Sequence, residues 1–478
     1  SAARGDPVLF GSQAAYVGLT GLGFFIYTAG NFLARFWPAL IGSLVVFIPF
    51  LFRKWIGLWP ATILALILAI SPEMVGLSRM IGTPMIAWVS LLFAAGFFLN
   101  RKGILAGMAL ALALMGGPGF WMGVLIIGVS FLLSERVFKF TDVFSSTWGA
   151  NGSQFWVKMG IAFAATLLVV GSVFFLAPAG ISGIFSGLAA FAAGFGNSSG
   201  FPKWFIPFAL IAYSAGAVLF GVWAGVKGML VGNKLDSFLF IWALLGMLFL
   251  LVYPGSQPAD IVWVTLPLWI LSVRIAFNTW RLPEQNRFIM VLTAIMVVVV
   301  TAFVFLALRS FVSPTLDQTQ RVSYLIAIFG GLILMIAVTI LVSYGWTEEV
   351  ALSGLLIGLA FVISAGMISY SVNTTSLAPE TSEELWYPEE ASLSSEWMQV
   401  TIARVMEWNA IRQTPLEIAV AGFETPGMRW ALRAFEPIDF VSYLAWQSQP
   451  GIAITTTEDI PEISNSYRGQ DLVWSREV

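Results

Sequence analysis

The residues able to do chemistry in this chain are few, and two of them stand close together between apolar stretches. The sequence contains no cysteine and no histidine, so acid–base or metal chemistry falls to carboxylates, Lys, Arg or Tyr. Residues 71–86 read SPEMVGLSRMIGTPMI and contain Glu73 and Arg79. A carboxylate can act as a general base, and a guanidinium can hold a phosphate. The alternative is that both residues only mark a solvated helix end, where they pair with each other.

The composition is that of a helical membrane protein. The chain has 478 residues, of which 58% are apolar and 10% charged, with a mean hydropathy of +0.86. Its apolar runs are long enough to cross a hydrocarbon core of about 30 Å. We predict an all-α polytopic membrane protein of about twelve transmembrane helices. The predicted crossings lie near residues 36–52, 57–73, 83–99, 103–116, 118–134, 156–177, 203–226, 235–253, 258–274, 287–308, 322–344 and 349–371.

Basic residues alternate between the connections and predict the orientation. One set of connections carries Arg53 and Lys54, Arg101 and Lys102, Arg136 and Lys139, Lys227 and Lys234, and Arg274, Arg281 and Arg287. The positive-inside rule places this set in the cytoplasm. The opposite, external connections carry Arg79, Lys203, Arg309 and Arg321.

The N-terminal residues are predicted to lie outside. If residues 36–52 cross once and Arg53 is cytoplasmic, the chain before residue 36 begins on the external side. The apolar stretch 14–32 then lies along the external interface, with its Tyr and Phe rings at headgroup depth. The alternative is an ordinary span that breaks the charge rule. We predict that residues 1–35 form an external loop with an interfacial helix and that residues 36–371 form the transmembrane domain.

The last part of the chain is predicted to be a separate acidic domain. Residues 372–478 carry sixteen acidic and six basic residues, a net charge of −10, whereas the preceding residues have a net charge of +8. An even number of crossings places this segment outside. Helical periodicity over 396–412 and short apolar strands near 416–422 and 451–458, with a helix over 426–435 and a closing strand near 471–477, predict a small C-terminal α/β extramembrane domain. No metal-spaced cluster or phosphate-binding loop is present in the sequence, so no metal ligand is predicted.

Three stretches resemble the GT-C superfamily of membrane glycosyltransferases. GDPVLFGS, NFLARFWPALIGSLVVFIPFLFRKWIG and ALILAISPEMVGLSRMIG follow the order seen in protein-O-mannosyltransferase-like enzymes and their prokaryotic flippase-associated relatives. PGMRWALRAF and YRGQDLVW are similar to the external domain of prokaryotic members. The resemblance is strongest over residues 5–100 and 415–475. It implies about thirteen crossings, of which the first would precede Ser1.

The resemblance also implies a chemistry, namely sugar transfer from a polyprenyl-phosphate carrier at the external membrane face. Such transfer needs a carboxylate to take the acceptor proton and cations or a divalent metal to hold the leaving phosphate. The acidic motif looks degenerate, because Gly82, Thr83 and Pro84 occupy the position of a charged triplet. The remaining candidates for catalysis are Asp6 and Glu73. The candidates for binding the lipid phosphate are Arg79, Lys203, Arg309 and Arg321.

Three functions remain open at this stage. The first is a glycosyltransferase acting on a polyprenyl-phosphate sugar, with a divalent metal as the candidate cofactor if the chain is active. The second is a scaffold or accessory subunit of a larger membrane complex, without catalysis. The third and least favoured is a transporter, since the ionisable residues collect at span ends rather than at the bilayer midplane. The predicted location is the prokaryotic cell membrane, with lipids as partners and no nucleic acid.

Overall fold

The structure, a computed structural model, describes most of the chain in two compact units, Ser1–Thr375 and Ser376–Val478. The residues it describes are 11–141, 152–279, 286–311, 317–375, 395–410, 416–435, 437–445, 449–456 and 468–472.

The first unit is made of helices. In chain order they are α1 (Ala14–Ile26), α2 (Asn31–Ser43), α3 (Ile48–Leu51), α4 (Arg53–Ile56), α5 (Leu58–Ile70), α6 (Pro72–Arg79), α7 (Met85–Leu99), α8 (Gly103–Leu114), α9 (Pro118–Phe138), α10 (Ser153–Gly171), α11 (Gly183–Ala193), α12 (Phe205–Val231), α13 (Lys234–Val252), α14 (Val262–Thr279), α15 (Arg287–Phe311), α16 (Gln318–Gly345) and α17 (Glu348–Thr375). Turns of 3₁₀ helix cover Leu44–Phe47, Pro178–Ser182 and Pro258–Ile261.

Each of the twelve predicted crossings is helical, and the predicted fold class is confirmed. Among the described residues, nine helices are long and apolar enough to cross a membrane, and the bent pair α5–α6 makes a tenth. The difference from twelve comes from α7 and α8, which have 15 and 12 residues. At 1.5 Å per residue they rise only about 22 and 18 Å.

The N-terminal helix α1 is short. It has 13 residues and ends at Ile26, which corresponds to a rise of about 20 Å and is less than the hydrocarbon core. The interfacial position of residues 14–32 stays a prediction. A helix of this length agrees with it.

The core of the first unit is built around α14. The span Pro258–Phe277 is 78% buried, whereas the α10 and α16 spans are 6% and 11% buried. Trp263 of this helix is fully buried, and its ring occupies the space that a side chain at Gly123 of α9 would need. Small residues that let helices approach closely are typical of membrane bundles, where lipid gives no hydrophobic drive for association.

The second unit contains helices α18 (Ser395–Ala410) and α19 (Pro426–Leu432) and strands β1 (Ile418–Ala421), β2 (Ile438–Val441) and β3 (Ile452–Ile454). The strands form a parallel sheet in the order β2-β1-β3. The Thr425 hydroxyl accepts a hydrogen bond from the Met428 amide and caps α19, with Pro426 in the first turn. The core under β1 contains Met398 and Ile402 of α18. The predicted closing strand near 471–477 lies mostly outside the described residues.

Candidate functional site

The stretch that contains Glu73 and Arg79 is a broken helix. Helices α5 and α6 meet at an angle of 54°, and Ser71 between them has extended backbone angles, with φ −69° and ψ 123°. Pro72 explains the break, because a residue before proline avoids the helical region and proline has no amide hydrogen to donate. Glu73 lies in the first turn of α6 and Arg79 in the last. Both charges therefore lie after the break, at opposite ends of the short helix α6.

Glu73 is completely buried, at 0% exposure. Its two carboxylate oxygens lie 2.7 and 2.6 Å from the hydroxyl oxygen of Ser214. Ser214 interrupts α12 with non-helical backbone angles, φ −131° and ψ 38°. A buried carboxylate is costly unless it is hydrogen-bonded, so this contact between two irregular helix positions stabilises both.

Two further polar groups face the Glu73 carboxylate. The Ser71 hydroxyl and the Trp269 indole N–H are buried and have no normal hydrogen-bond partner, and both interact with Glu73 at longer range. Ser71 belongs to the α5–α6 break, and Trp269 belongs to the central helix α14. Glu73 thus sits in a small polar site inside the helix bundle, away from solvent.

The loop after Arg79 contacts the N-terminal segment. The Gln13 side-chain amide donates hydrogen bonds to the carbonyl oxygens of Gly82, at 2.9 Å, and Thr83, at 3.3 Å. The Thr83 hydroxyl donates to the Leu77 carbonyl at 3.2 Å, which ties the loop to α6. Gly82 has φ +80°, a left-handed conformation that glycine adopts without strain. Residues 82–84 therefore make a tight structural turn.

We call this contact region the N-terminal junction, formed by Ser12–Gln13, Gly82–Pro84, Gly116–Gly119 and Gly187. A side chain on Gly117 would meet Gln13 Cγ at 2.8 Å and the Ser12 carbonyl oxygen at 2.9 Å. A side chain on Gly119 would meet Pro84 at 2.8 Å. The junction is closely packed backbone from four parts of the chain. It brings the N-terminal segment next to the loop that follows Arg79.

Lys203 is held in a separate polar cluster. Its ammonium donates to the carbonyl oxygens of Tyr253, at 3.0 Å, and Pro254, at 2.8 Å, and to the Ser256 hydroxyl at 2.7 Å. Burial lowers the pKa of Lys203, and the nearby charge of Asp260 partly offsets this. The observed contacts give Lys203 a role in holding the 253–256 loop.

The other predicted residues have different surroundings. Arg79 is partly buried, whereas Arg309 and Arg321 are exposed near the connected ends of the adjacent helices α15 and α16. Asp6 lies outside the described residues. The lipid-phosphate assignment of these cations and the catalytic assignment of Asp6 and Glu73 stay predictions. Within the described residues, no group of three or more acidic side chains is arranged to hold a metal ion.

Sequence reasoning missed Ser214 and Gln13. Ser214 stands alone among small and apolar residues in IAYSAGA, and Gln13 immediately precedes the apolar run of α1. A single polar residue in an apolar run was the only available signal for either one. Their partners lie 141 and 69 positions away in the chain.

Comparison with known proteins supports the fold. No protein-family model matches the chain, and no curated protein matches it in sequence. The structure is similar to the crystal structure of ArnT from Cupriavidus metallidurans bound to undecaprenyl phosphate, with 15% sequence identity and a TM-score of 0.54 over 92% of this chain and 79% of that one. The apo-state structure of ArnT gives 16% identity and a TM-score of 0.50 over 90% and 75% of the two chains. ArnT is a GT-C glycosyltransferase, so the resemblance to the GT-C superfamily is confirmed at the level of the fold, and the chain is an integral membrane protein.

Proposed function

We propose that this chain binds a polyprenyl-phosphate carrier at the end of the bundle where Arg79 and the N-terminal junction lie. The observation that carries the proposal is the shared fold with ArnT, whose crystal structure contains undecaprenyl phosphate. Arg79 supplies a suitable cation, since it ends a broken helix and is only partly buried. The carrier would reach it from the bilayer with its phosphate at the membrane surface.

Arginine suits this role for a physical reason. Its planar guanidinium presents several N–H donors in a fixed fork that matches two phosphate oxygens, and it stays charged at every accessible pH. The bond between Glu73 and Ser214 anchors α6 six residues before Arg79. A fixed helix holds the guanidinium in place before the lipid arrives, which lowers the entropic cost of binding.

The test is direct binding of undecaprenyl phosphate to the purified full chain in nanodiscs, measured by native mass spectrometry. Arg79→Gln should weaken binding by roughly 10- to 100-fold, since one hydrogen bond to a charged group contributes about 1.5–3 kcal/mol. Arg53→Gln, an exposed residue on the predicted cytoplasmic side, is the matched control and should leave binding unchanged. Equal binding by wild type and Arg79→Gln contradicts the Arg79 assignment. Equal effects of both variants would indicate general attraction of charge.

The burial of Glu73 favours binding without sugar transfer, as in an accessory subunit. A general base must come within about 3 Å of the acceptor hydroxyl, and Glu73 instead faces Ser214 inside the bundle. Transfer would then depend on a carboxylate such as Asp6. The assay supplies a polyprenyl-phosphate sugar and a mixed acceptor pool to the full-length protein. Turnover lost by roughly 10²–10⁴-fold in Asp6→Asn or Glu73→Gln would establish an enzyme and overturn the accessory role.

A further inference from the structure

Helix α18 of the second unit has two different faces. Met398 and Ile402 are buried against the sheet, and Met406 continues this face one turn later. On the opposite side, Trp397 is 70% and Trp408 is 77% exposed. Such exposure is unusual for tryptophan, whose large ring is highly buried in most proteins.

The exposed residues form a single line along the helix. Trp408 follows Trp397 by eleven positions, which is just over three full turns, so the two rings project from the same side about 16 Å apart. Arg404 lies between them, almost two turns after Trp397, and is exposed. Val400 and Val405 flank the line at 41% and 38% exposure. We call Trp397, Arg404 and Trp408 the tryptophan stripe.

We propose that the tryptophan stripe binds the lipid headgroup layer of a membrane. Tryptophan favours this layer, because its ring is apolar and its N–H can still reach water or a lipid carbonyl group. The guanidinium of Arg404 has the charge and the donors to bind a lipid phosphate. Two aromatic anchors with a cation between them are the side chains expected of a helix that lies in the interface.

The second unit is connected through the chain to a helix that can span a membrane. Helix α17 is long and apolar enough to span a bilayer, and nineteen residues connect it to the start of α18. Fully extended, that connection reaches up to about 65 Å. The second unit is therefore tethered to a bilayer, which is the one partner always present at a high local concentration.

The charge of the second unit indicates that its tryptophan rings contribute more to membrane binding than electrostatic attraction does. Residues 372–478 have a net charge of −10, so anionic lipids repel the domain as a whole. Glu407 is also exposed on α18, about 100° around the helix from Trp408. We therefore expect the stripe to bind zwitterionic phosphatidylcholine at least as well as phosphatidylglycerol.

The absence of cysteine from the chain makes a site-specific test simple. A spin label on Thr401→Cys, beside the stripe in α18, reports its surroundings in the full-length protein in phosphatidylcholine nanodiscs. Collision with lipid-soluble oxygen and with a water-soluble nickel chelate is measured by electron paramagnetic resonance. The oxygen-to-nickel ratio should be severalfold higher at 401 than for a label on Asp439→Cys, an exposed position on β2.

A second variant separates lipid binding from a structural effect. Adding Trp397→Ser and Trp408→Ser to the Thr401→Cys protein should lower the ratio to that of the Asp439→Cys control, while the thermal unfolding temperature stays unchanged because both rings are exposed. Equal ratios at 401 and 439 in the presence of both tryptophans would overturn the proposal. Protection from both reagents that depends on protein concentration, or that requires an added oligosaccharide, would instead identify a second copy or a glycan as the partner. The test is independent of carrier binding at Arg79.

Discussion

At the scale of single residues, the contact between Glu73 and Ser214 is the most consequential in the membrane domain. It joins a helix break in α5–α6 to a kink in α12, and both partners are buried. A carboxylate in such surroundings depends on its donors, because water is not available to replace them. We therefore expect that losing one partner of this contact destabilises both helix distortions.

Ser214→Ala should lower the free energy of unfolding by about 1.5–3 kcal/mol, because it leaves the buried Glu73 carboxyl without its short hydrogen bond. Thermal unfolding in detergent, followed by intrinsic fluorescence, measures the change. Ser130→Ala is the matched control, since Ser130 is also a fully buried serine and donates a hydrogen bond to the Ile126 carbonyl of its own helix. We expect a smaller loss there. Equal losses in the two variants would show that the Glu73 contact contributes no more to stability than an ordinary buried serine hydrogen bond.

Sequence reasoning could identify Glu73 and Arg79 but not their surroundings. An acidic residue among apolar ones can be recognised in the sequence. The alternation of basic residues between connections predicted that this stretch lies at one end of the bundle. The partner of Glu73 depends on the approach of α6 to α12, and this approach is set by packing across 141 positions. The alternative interpretation, that Glu73 and Arg79 only mark a solvated helix end, does not hold for Glu73, because its carboxyl is fully buried and bonded to Ser214.

At the scale of elements, close helix contacts at glycine hold the first unit together. Gly107 of α8 faces the backbone of α10, where an added side chain would clash with the carbonyl oxygen of Met159. Gly358 of α17 packs in the same way against Ala294 and Val297 of α15. A backbone atom cannot move away by a rotamer change as a flexible side chain can. A residue larger than glycine at these positions therefore forces the helices apart.

Gly107→Ala should destabilise the protein by about 1–3 kcal/mol by forcing α8 and α10 apart. Gly128→Ala provides the opposite case, because Gly128 also lies within a membrane helix and nothing stands within 4 Å of its added methyl group. There we expect no loss, or a gain of up to about 1 kcal/mol from helix propensity. Unfolding temperature and monodispersity on size exclusion check both. A loss of the same size in the two variants contradicts the packing argument.

The elements themselves were largely predictable. Among the described residues, long apolar runs identified each helix that is long and apolar enough to cross a membrane, because a bilayer-spanning helix requires such a run. In the second unit, β1 and β3 were predicted from short apolar runs, whereas β2 was missed. Strand β2 reads IDFV and alternates half-buried with exposed residues, a pattern too short to distinguish from a loop. Pro72, which breaks α5–α6, was visible in the sequence, but the size of the bend was not.

At the scale of the whole molecule, the charge divides along the chain into a basic membrane part and an acidic C-terminal part. Basic residues between spans retain their loops on the cytoplasmic side, whereas acidic domains cross without this hindrance. The C-terminal unit is therefore expected on the external side. This expectation rests on the loops and not on the structure.

Glutamyl endopeptidase applied to intact cells should release the C-terminal unit, because the connection at 376–394 contains five glutamates. An antibody tag at the C-terminus follows the fragment by blotting. Inside-out vesicles are the control and should protect the tag. Release from inside-out vesicles alone would show that the predicted topology is reversed. Arg79 and the proposed carrier site would then lie on the cytoplasmic face.

The unequal lengths of the membrane helices affect the lipid that surrounds them. Helix α16 has 28 residues, of which only Gly331 and Val342 are buried, and it measures about 42 Å, against about 18 Å for α8. A bilayer of uniform thickness cannot match both. In a core of about 30 Å, α16 has to tilt by about 45°, and the membrane has to thin next to α8 if α8 crosses it. Lipids beside α8 then have to compress their acyl chains, and membranes of shorter-chain lipids should favour this protein.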